Sequence, residues 1–437
     1  MNINKFYDLI ITNIELNIKF VSYFKSNIKG SFGLVNVMNK IITNRITDID
    51  ILDEIKKITM NSDFSNQDKI YIINNININH YLDLNGLKDE YFDTIFGFLP
   101  SPFMPCEIYS NIINNINSNK NTFTNIYIFK LHDNIKIRLM VPNWINKIEL
   151  DNIINICKFM TVLYDSTIKL INPIIFKNYK KTLRINYFPS NINKSFISLN
   201  SNNSNKHFTV DIVNSASAEI YGENIVIFRT EEIYKIIIHE IFHIFDVANI
   251  YLNLQLPVII NNDQNNNPPF KISETICECL ATIINPIYDT YDMNEILKII
   301  NLELEFGLLQ TAKILYFAGF NNITDFFYNT NNIKLYQDTS VVEYYILKTM
   351  CLYKLNDFID SILNSKIKED IVQKLYIIFN DCINDKNYLN SIQKKFNEII
   401  IKNNTISDFT KYTARMTIYH PKFNKSKKKY RLKKITQ

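Results

Sequence analysis

The chain is short of turn formers and of histidine: its 437 residues include only 7 Gly, 11 Pro, 1 Trp and 6 His. So little Gly and Pro excludes collagen-like, fibrous and propeller-like folds, which need many tight turns. Cysteine is sparse too. The six stand at 106, 157, 277, 279, 351 and 382, with no Cys-x-x-Cys pair and no spacing of a disulfide framework. The opening residues, Met-Asn-Ile-Asn-Lys-Phe-Tyr-Asp, lack the continuous apolar core of a signal peptide. No apolar run reaches the roughly 18 residues of a spanning segment, so no transmembrane helix is expected. These absences predict a reducing, cytoplasmic setting and argue against secretion.

What is abundant is apolar and aromatic. Hydrophobic residues make up 46% of the chain, with 30 Phe and 26 Tyr, enough for a sizeable core. The length suggests two or three structural units. Ile and Asn are far above ordinary usage, and Lys, Tyr and Phe rise with them, as an AT-rich coding sequence would produce. Asn is therefore a poor loop marker here. The net charge of +5 is unevenly placed. Lys422–Lys434 carries eight basic residues and no acid, so the rest of the chain is mildly acidic. That tail is expected to be disordered, and could hold nucleic acid, an anionic membrane surface or an import receptor.

Periodicity predicts an α+β protein. Leu9, Ile10, Ile14, Ile18 and Val21 recur at helical spacing within a helical region 4–60. A hairpin is expected over 124–142, turning at Leu131–Asn134, and a helix over 150–172. Strands are expected at Leu183–Phe188, Phe208–Val213 and Ile225–Phe228. Ser201–Lys206 and Asn261–Pro269 read as polar surface loops. From 272 to 402 the pattern is helical almost throughout.

The chemistry lies in residues 239–243, His-Glu-Ile-Phe-His. The run sits in an expected helix, with Thr230 as its cap and Glu231 and Glu232 in its first turn, where the helix dipole favours acids. Four apart on a helix, His239 and His243 project from one face and can bind one Zn²⁺. Glu240 is about 100° further round, beside the metal, where it can take a proton from zinc-bound water.

A catalytic zinc wants a third protein ligand. Metzincins supply a Gly three residues and a His six residues past the second His. Here those positions are Asp246 and Asn249, which excludes that branch. A later acidic helix is the other solution. Glu274 and Glu278, within Ile-Ser-Glu-Thr-Ile-Cys-Glu-Cys-Leu-Ala-Thr, also share a helical face. Ser273 is expected to cap that helix and Asn285-Pro286 to end it. Glu274 can complete the zinc site, and Glu278 can accept from the free N–H of a ligating His. Cys277 and Cys279 flank Glu278 and read as buried, inert thiols.

His239-Glu240-x-x-His243 followed by Glu274-x-x-x-Glu278 resembles the gluzincin arm of the zincin metallopeptidases. There the first acid of the second motif is the third ligand and the second acid, usually Asp, orients a histidine. Here Glu278 is one methylene longer, and the Asn261–Pro269 stretch lengthens the gap between the motifs. Asn214-Ser215, Ile225–Lys235, the His motif and Ser273–Asn285 are also similar to a group of uncharacterised metallopeptidase-like proteins of large DNA viruses. The likeness covers about 210–290, and 335–355 more weakly. It agrees with the AT-rich composition and would extend the setting to a virion.

The resemblance implies a zincin-like core, a small mostly antiparallel sheet plus the active-site helix, over 121–355. Around it lie a helical N-terminal region (1–120), a helical C-terminal region (356–421) and the basic tail (422–437). It implies zinc-dependent hydrolysis of a peptide or protein substrate. An edge strand pairing with the substrate is expected at Asn224–Phe228. A hydroxyl donor to the transition state is expected from Tyr344 or Tyr345, one of the two being core packing. His80, His132, His207 and His420 are read as non-catalytic, with His207 exposed. The rival readings are an inactive zincin-like scaffold and a nucleic-acid-binding protein acting through its tail.

Overall fold

The structure is a computed structural model. It describes residues 80–81, 104–111, 125–132, 135–141, three positions between 145 and 156, and most of 183–419. The helices expected at 4–60 and 150–172, the loop Ser201–Lys206, Asp246, Asn249, His420 and the basic tail fall outside the described residues, apart from Ile153 and Ile156.

The described residues form an α+β structure. Its main sheet has the order β1 (His80–Tyr81), β2 (Asn125–His132), β3 (Ile135–Val141), β4 (Leu183–Tyr187), β7 (Asn224–Ile227), β6 (Ala216–Ala218). The predicted hairpin is β2–β3, and it is antiparallel. Three of its five strand pairs are antiparallel (β1–β2, β2–β3 and β6–β7), and β3–β4 and β4–β7 run parallel at its centre. Strand β7 is not the edge. It lies between β4 and β6, and its Ile225, Val226 and Ile227 are all buried, as an interior strand covered on both faces requires. The edge is β6, paired antiparallel to β7 through Ser217↔Val226.

Smaller sheets flank this one. One has the order β10 (Asn265–Asn266), β9 (Ile260–Asn262), β12 (Leu335–Gln337), β5 (His207–Phe208). It pairs Asn261 and Asn262 with Asn266 and Asn265 inside the stretch expected as the loop Asn261–Pro269, whose other residues lie outside the described ones. Strand β12 interrupts the helical stretch 272–402. Strand β8 (Tyr251–Leu252) pairs with β11 (Phe270–Lys271). The strand expected at Phe208–Val213 ends at Phe208, where Val210–Val213 turns into a short helix, α1.

Helix α2 (Ile233–Ile244) is buried on every side except at His243, so it forms the spine of the core. Helix α3 (Ile272–Asp289) packs on it. It does not stop at Pro286, because Ile283, Ile284 and Ile287 on its buried face hold it in the core. Burial of three such side chains outweighs the about 3 kcal/mol cost of a mid-helix proline. Nor does Ser273 cap it. The helix starts one residue earlier, and the Ser273 hydroxyl is buried without a partner. Helix α4 (Met293–Ala318) is capped by the Asp292 carboxylate and closed by Gly319 in the left-handed region.

A π-helical turn, Val342–Leu347, leads into α5 (Lys348–Tyr353), followed by α6 (Leu355–Asn364), α7 (Lys368–Asn384) and α8 (Lys386–Ile401). One hydrophobic cluster runs from Ile153 to Met416 through all of these elements. Among the described residues, no helix is long and apolar enough to cross a membrane.

Candidate metal centre and cleft

Helix α2 does not begin at Thr230. Its cap is Glu232, whose φ of 62° puts a non-glycine residue in the left-handed region. That conformation costs on the order of 1–2 kcal/mol and needs compensation. The Glu232 carboxylate supplies it. It accepts from Lys194 Nζ (2.8 Å) and from the backbone N–H groups of Met416 (2.7 Å) and Thr417. Glu231 accepts from the Lys194 backbone N–H at 2.8 Å. The two acids expected to serve the helix dipole thus serve long-range contacts.

About two and three turns further on, His239 and His243 face α3. Their Nε2 atoms are 3.0 Å apart. Glu274 Oε2 lies 3.1 Å from His243 Nε2 and 3.7 Å from His239 Nε2. Two donors each about 2.05 Å from a tetrahedral zinc ion would be separated by about 3.3 Å, so three donor atoms at these spacings fit one ion. No other group of His, Cys, Asp and Glu among the described residues converges in this way. The second oxygen of Glu274 is held by Lys271 Nζ at 2.6 Å, which leaves Oε2 directed at the histidines.

Glu278 Oε2 lies 3.1 Å from His239 Nδ1, a close contact but a bent one, without hydrogen-bond alignment. The extra methylene of Glu278 therefore does not keep it from its expected partner. His243 Nδ1 faces the buried Cys277 thiol at 3.9 Å. Cys279 is also buried.

The charges are strongly coupled. Burial alone would lower the His239 pKa, but the Glu274 and Glu278 carboxylates outweigh it and lift it to about 9. For His243, burial is likewise overcome, mainly by Glu274, giving about 10. Burial would raise Glu274, yet the two histidines and Lys271 hold it well below the carboxylate range. Burial raises Glu240, partly offset by the histidine charges. A carboxylate whose pKa is raised is a stronger proton acceptor than a free one.

These groups open into a cleft of about 330 Å³. Glu240, both histidines and Glu274 line it, with edge strand β6 and the segment Gln337–Ser340 also in its wall. The π-helical turn adds Glu343 and Tyr344. The Tyr344 hydroxyl is 3.4 Å from Glu274 Oε2, and its ring packs edge-on to His239. Burial, with Glu274 and Glu240 nearby, pushes the phenol pKa well above its usual value, so it keeps its proton.

Tyr345 is not a donor to this cleft. It is 1% exposed, and its hydroxyl donates to the Ala414 carbonyl in the core. Of the adjacent tyrosines, it is the packing one. His207 is half-buried rather than exposed, and pairs with Asp338 at the cleft wall at 2.7 Å. For His80 and His132 the structure gives strand positions only, in β1 and β2.

Sequence reasoning missed Lys271, Asp338 and Glu343. Glu343 Oε1 accepts the Lys271 backbone N–H, and burial pushes its carboxyl up to about 7. No local pattern marks these three, which reach the cleft only through tertiary packing. No family model matches the chain, and neither the curated proteins nor the solved structures give a match.

Proposed function

We propose that this chain is a zinc-dependent metallopeptidase with a zincin-like core. The convergence of His239 Nε2, His243 Nε2 and Glu274 Oε2 at 3.0–3.7 Å carries the reading. A zinc ion held by these three would supply the Lewis acidity that ionises water near neutral pH and polarises a carbonyl.

The chain's own residues account for the remaining chemistry. Glu240, in the cleft wall, takes the proton of the attacking water and returns it to the leaving amine. Tyr344 keeps its proton and donates to the oxygen on which negative charge develops. Glu278 turns His239 so that Nε2 faces the ligand group. Strand β6, last in the sheet order among the described residues, would pair with an extended peptide, and its small Ala216, Ser217 and Ala218 would leave room for substrate side chains. That edge, beside the ligand group, favours a peptide over a small-molecule substrate. Four buried cysteines without disulfides, Cys277, Cys279, Cys351 and Cys382, fit a reducing cytoplasmic setting.

The deciding experiment is elemental mass spectrometry of wild type, His243→Ala and Glu274→Ala, followed by cleavage of a peptide library. We expect about one zinc in wild type, lost from both variants. Wild type that neither holds nor takes up zinc would end the enzyme reading. Zinc without cleavage of any peptide would leave a metal-holding scaffold.

A further inference from the structure

Behind His239, Glu278 is tied into a buried ionic cluster whose lysines the reaction scheme above does not use. Glu278 Oε1 accepts from Lys235 Nζ, on α2, and lies 3.4 Å from Lys348 Nζ, at the start of α5. The side chains of all three are at most 2% exposed. One carboxylate oxygen is thus assigned to the lysines and the other to His239.

The lysines are anchored in turn by the segment Thr413–Tyr419. Lys348 Nζ donates to the Met416 carbonyl, and Lys235 Nζ lies 3.7 Å from Met416 Sδ. Two acids hold this segment from outside the cluster. Glu232 accepts the N–H groups of Met416 and Thr417. Glu303 accepts from the Thr417 hydroxyl and from the Tyr419 N–H at 2.7 Å. Gln310 and Lys313 each donate to the Thr413 carbonyl at 3.2 Å. A mobile glutamate at position 278 would have one more rotatable bond than an aspartate and a poorer grip on its histidine. Two ammonium groups on one of its oxygens remove that freedom.

We propose that Lys235 and Lys348, clamped by the segment Thr413–Tyr419, are positioning residues of the metal centre. They fix Glu278, and through it the ring of His239, so that zinc affinity depends on a part of the chain remote in sequence from every ligand. This rests on the zinc reading above.

The test is the zinc dissociation constant of the full chain, measured by competition with a chromogenic chelator. Wild type, Lys348→Met, Glu278→Gln and the double variant form a cycle, with thermal melting of the zinc-free proteins as the fold check. Lys348→Met is expected to weaken zinc about 10–100-fold, the usual size of an outer-shell effect. In the Glu278→Gln background the same change should add less than about 2-fold, because its route to His239 is gone. Equal losses in both backgrounds would show a general structural role and overturn the proposal, as would unchanged affinity in Lys348→Met. Lys235→Met gives the same cycle if Lys348→Met does not fold. Wild type that binds no zinc would overturn the zinc reading and this inference together. Tight wild-type binding with indifferent lysine variants would overturn this inference alone.

Discussion

Glu274 divides its two carboxylate oxygens between Lys271 Nζ, at 2.6 Å from Oε1, and His243 Nε2, at 3.1 Å from Oε2. The lysine comes from the strand immediately before α3, so the third candidate ligand is oriented by its own chain entry. We expect Lys271→Met to keep the fold and weaken zinc by about 10-fold, while Glu274→Ala abolishes stoichiometric binding. Chelator competition on both variants checks this. Wild-type affinity in Lys271→Met would show that the ion pair does no orienting.

Glu240 is placed in the cleft beside the ligands, and none of the three donor atoms is its own. Glu240→Gln should therefore retain zinc at wild-type affinity while peptide cleavage falls by about 10²–10⁴-fold, the size of a general-base contribution. Measuring metal content and single-turnover cleavage on the same preparation separates the two effects. Cleavage that survives the substitution would remove Glu240 from the mechanism.

The adjacent tyrosines give a built-in comparison. Tyr344 lines the cleft near Glu274, whereas the Tyr345 hydroxyl is spent on the Ala414 carbonyl. Tyr344→Phe should lower kcat by about 10²–10³-fold with KM little changed, as loss of a transition-state donor does. Tyr345→Phe should leave kcat alone and cost about 1 kcal/mol of stability through one lost buried hydrogen bond. Steady-state kinetics and chemical denaturation of the pair test the assignment.

The parts of the site legible in the sequence are those set by helical periodicity. His239 and His243 are four apart on one helix, as are Glu274 and Glu278, so spacing alone puts each pair on one face, with Glu240 about 100° round from the histidines. What spacing cannot show is which helix meets which. Lys348 reaches Glu278, and Glu232 reaches Met416, by tertiary packing with no local trace. The π-helical turn that carries Glu343 and Tyr344 departs from the 3.6-residue period, so a periodic reading cannot place them. The edge strand was misplaced for a related reason. Asn224–Ile227 is the more hydrophobic segment, which marks an interior strand, while Ala216–Ala218, with small side chains, is last in the strand order although Ala216 and Ser217 are buried.

Lys313 is the last test, and it probes the clamp away from the metal. It lies on α4, is 1% exposed, and donates to the Thr413 carbonyl. Burial lowers its pKa from 10.5 to about 7. A lysine whose folded pKa is depressed takes up its proton more readily in the unfolded chain. Its penalty is therefore absent above pH 10.5, grows as pH falls, and is complete below about pH 7. The Lys313 contribution should accordingly rise as pH increases from about 7 towards 10, opposite in sign to that of His239 and His243, whose raised pKa values lose stability over the same range. Lys313→Met should remove that slope and stabilise the protein at neutral pH by on the order of 1–3 kcal/mol. The Thr413 carbonyl keeps its hydrogen bond from Gln310 Nε2, so the substitution orphans no buried acceptor there. Denaturant melts of both proteins at pH 7 and pH 9.5 measure the difference. A stability difference between the two proteins that is the same at both pH values would show that Lys313 does not titrate in this range.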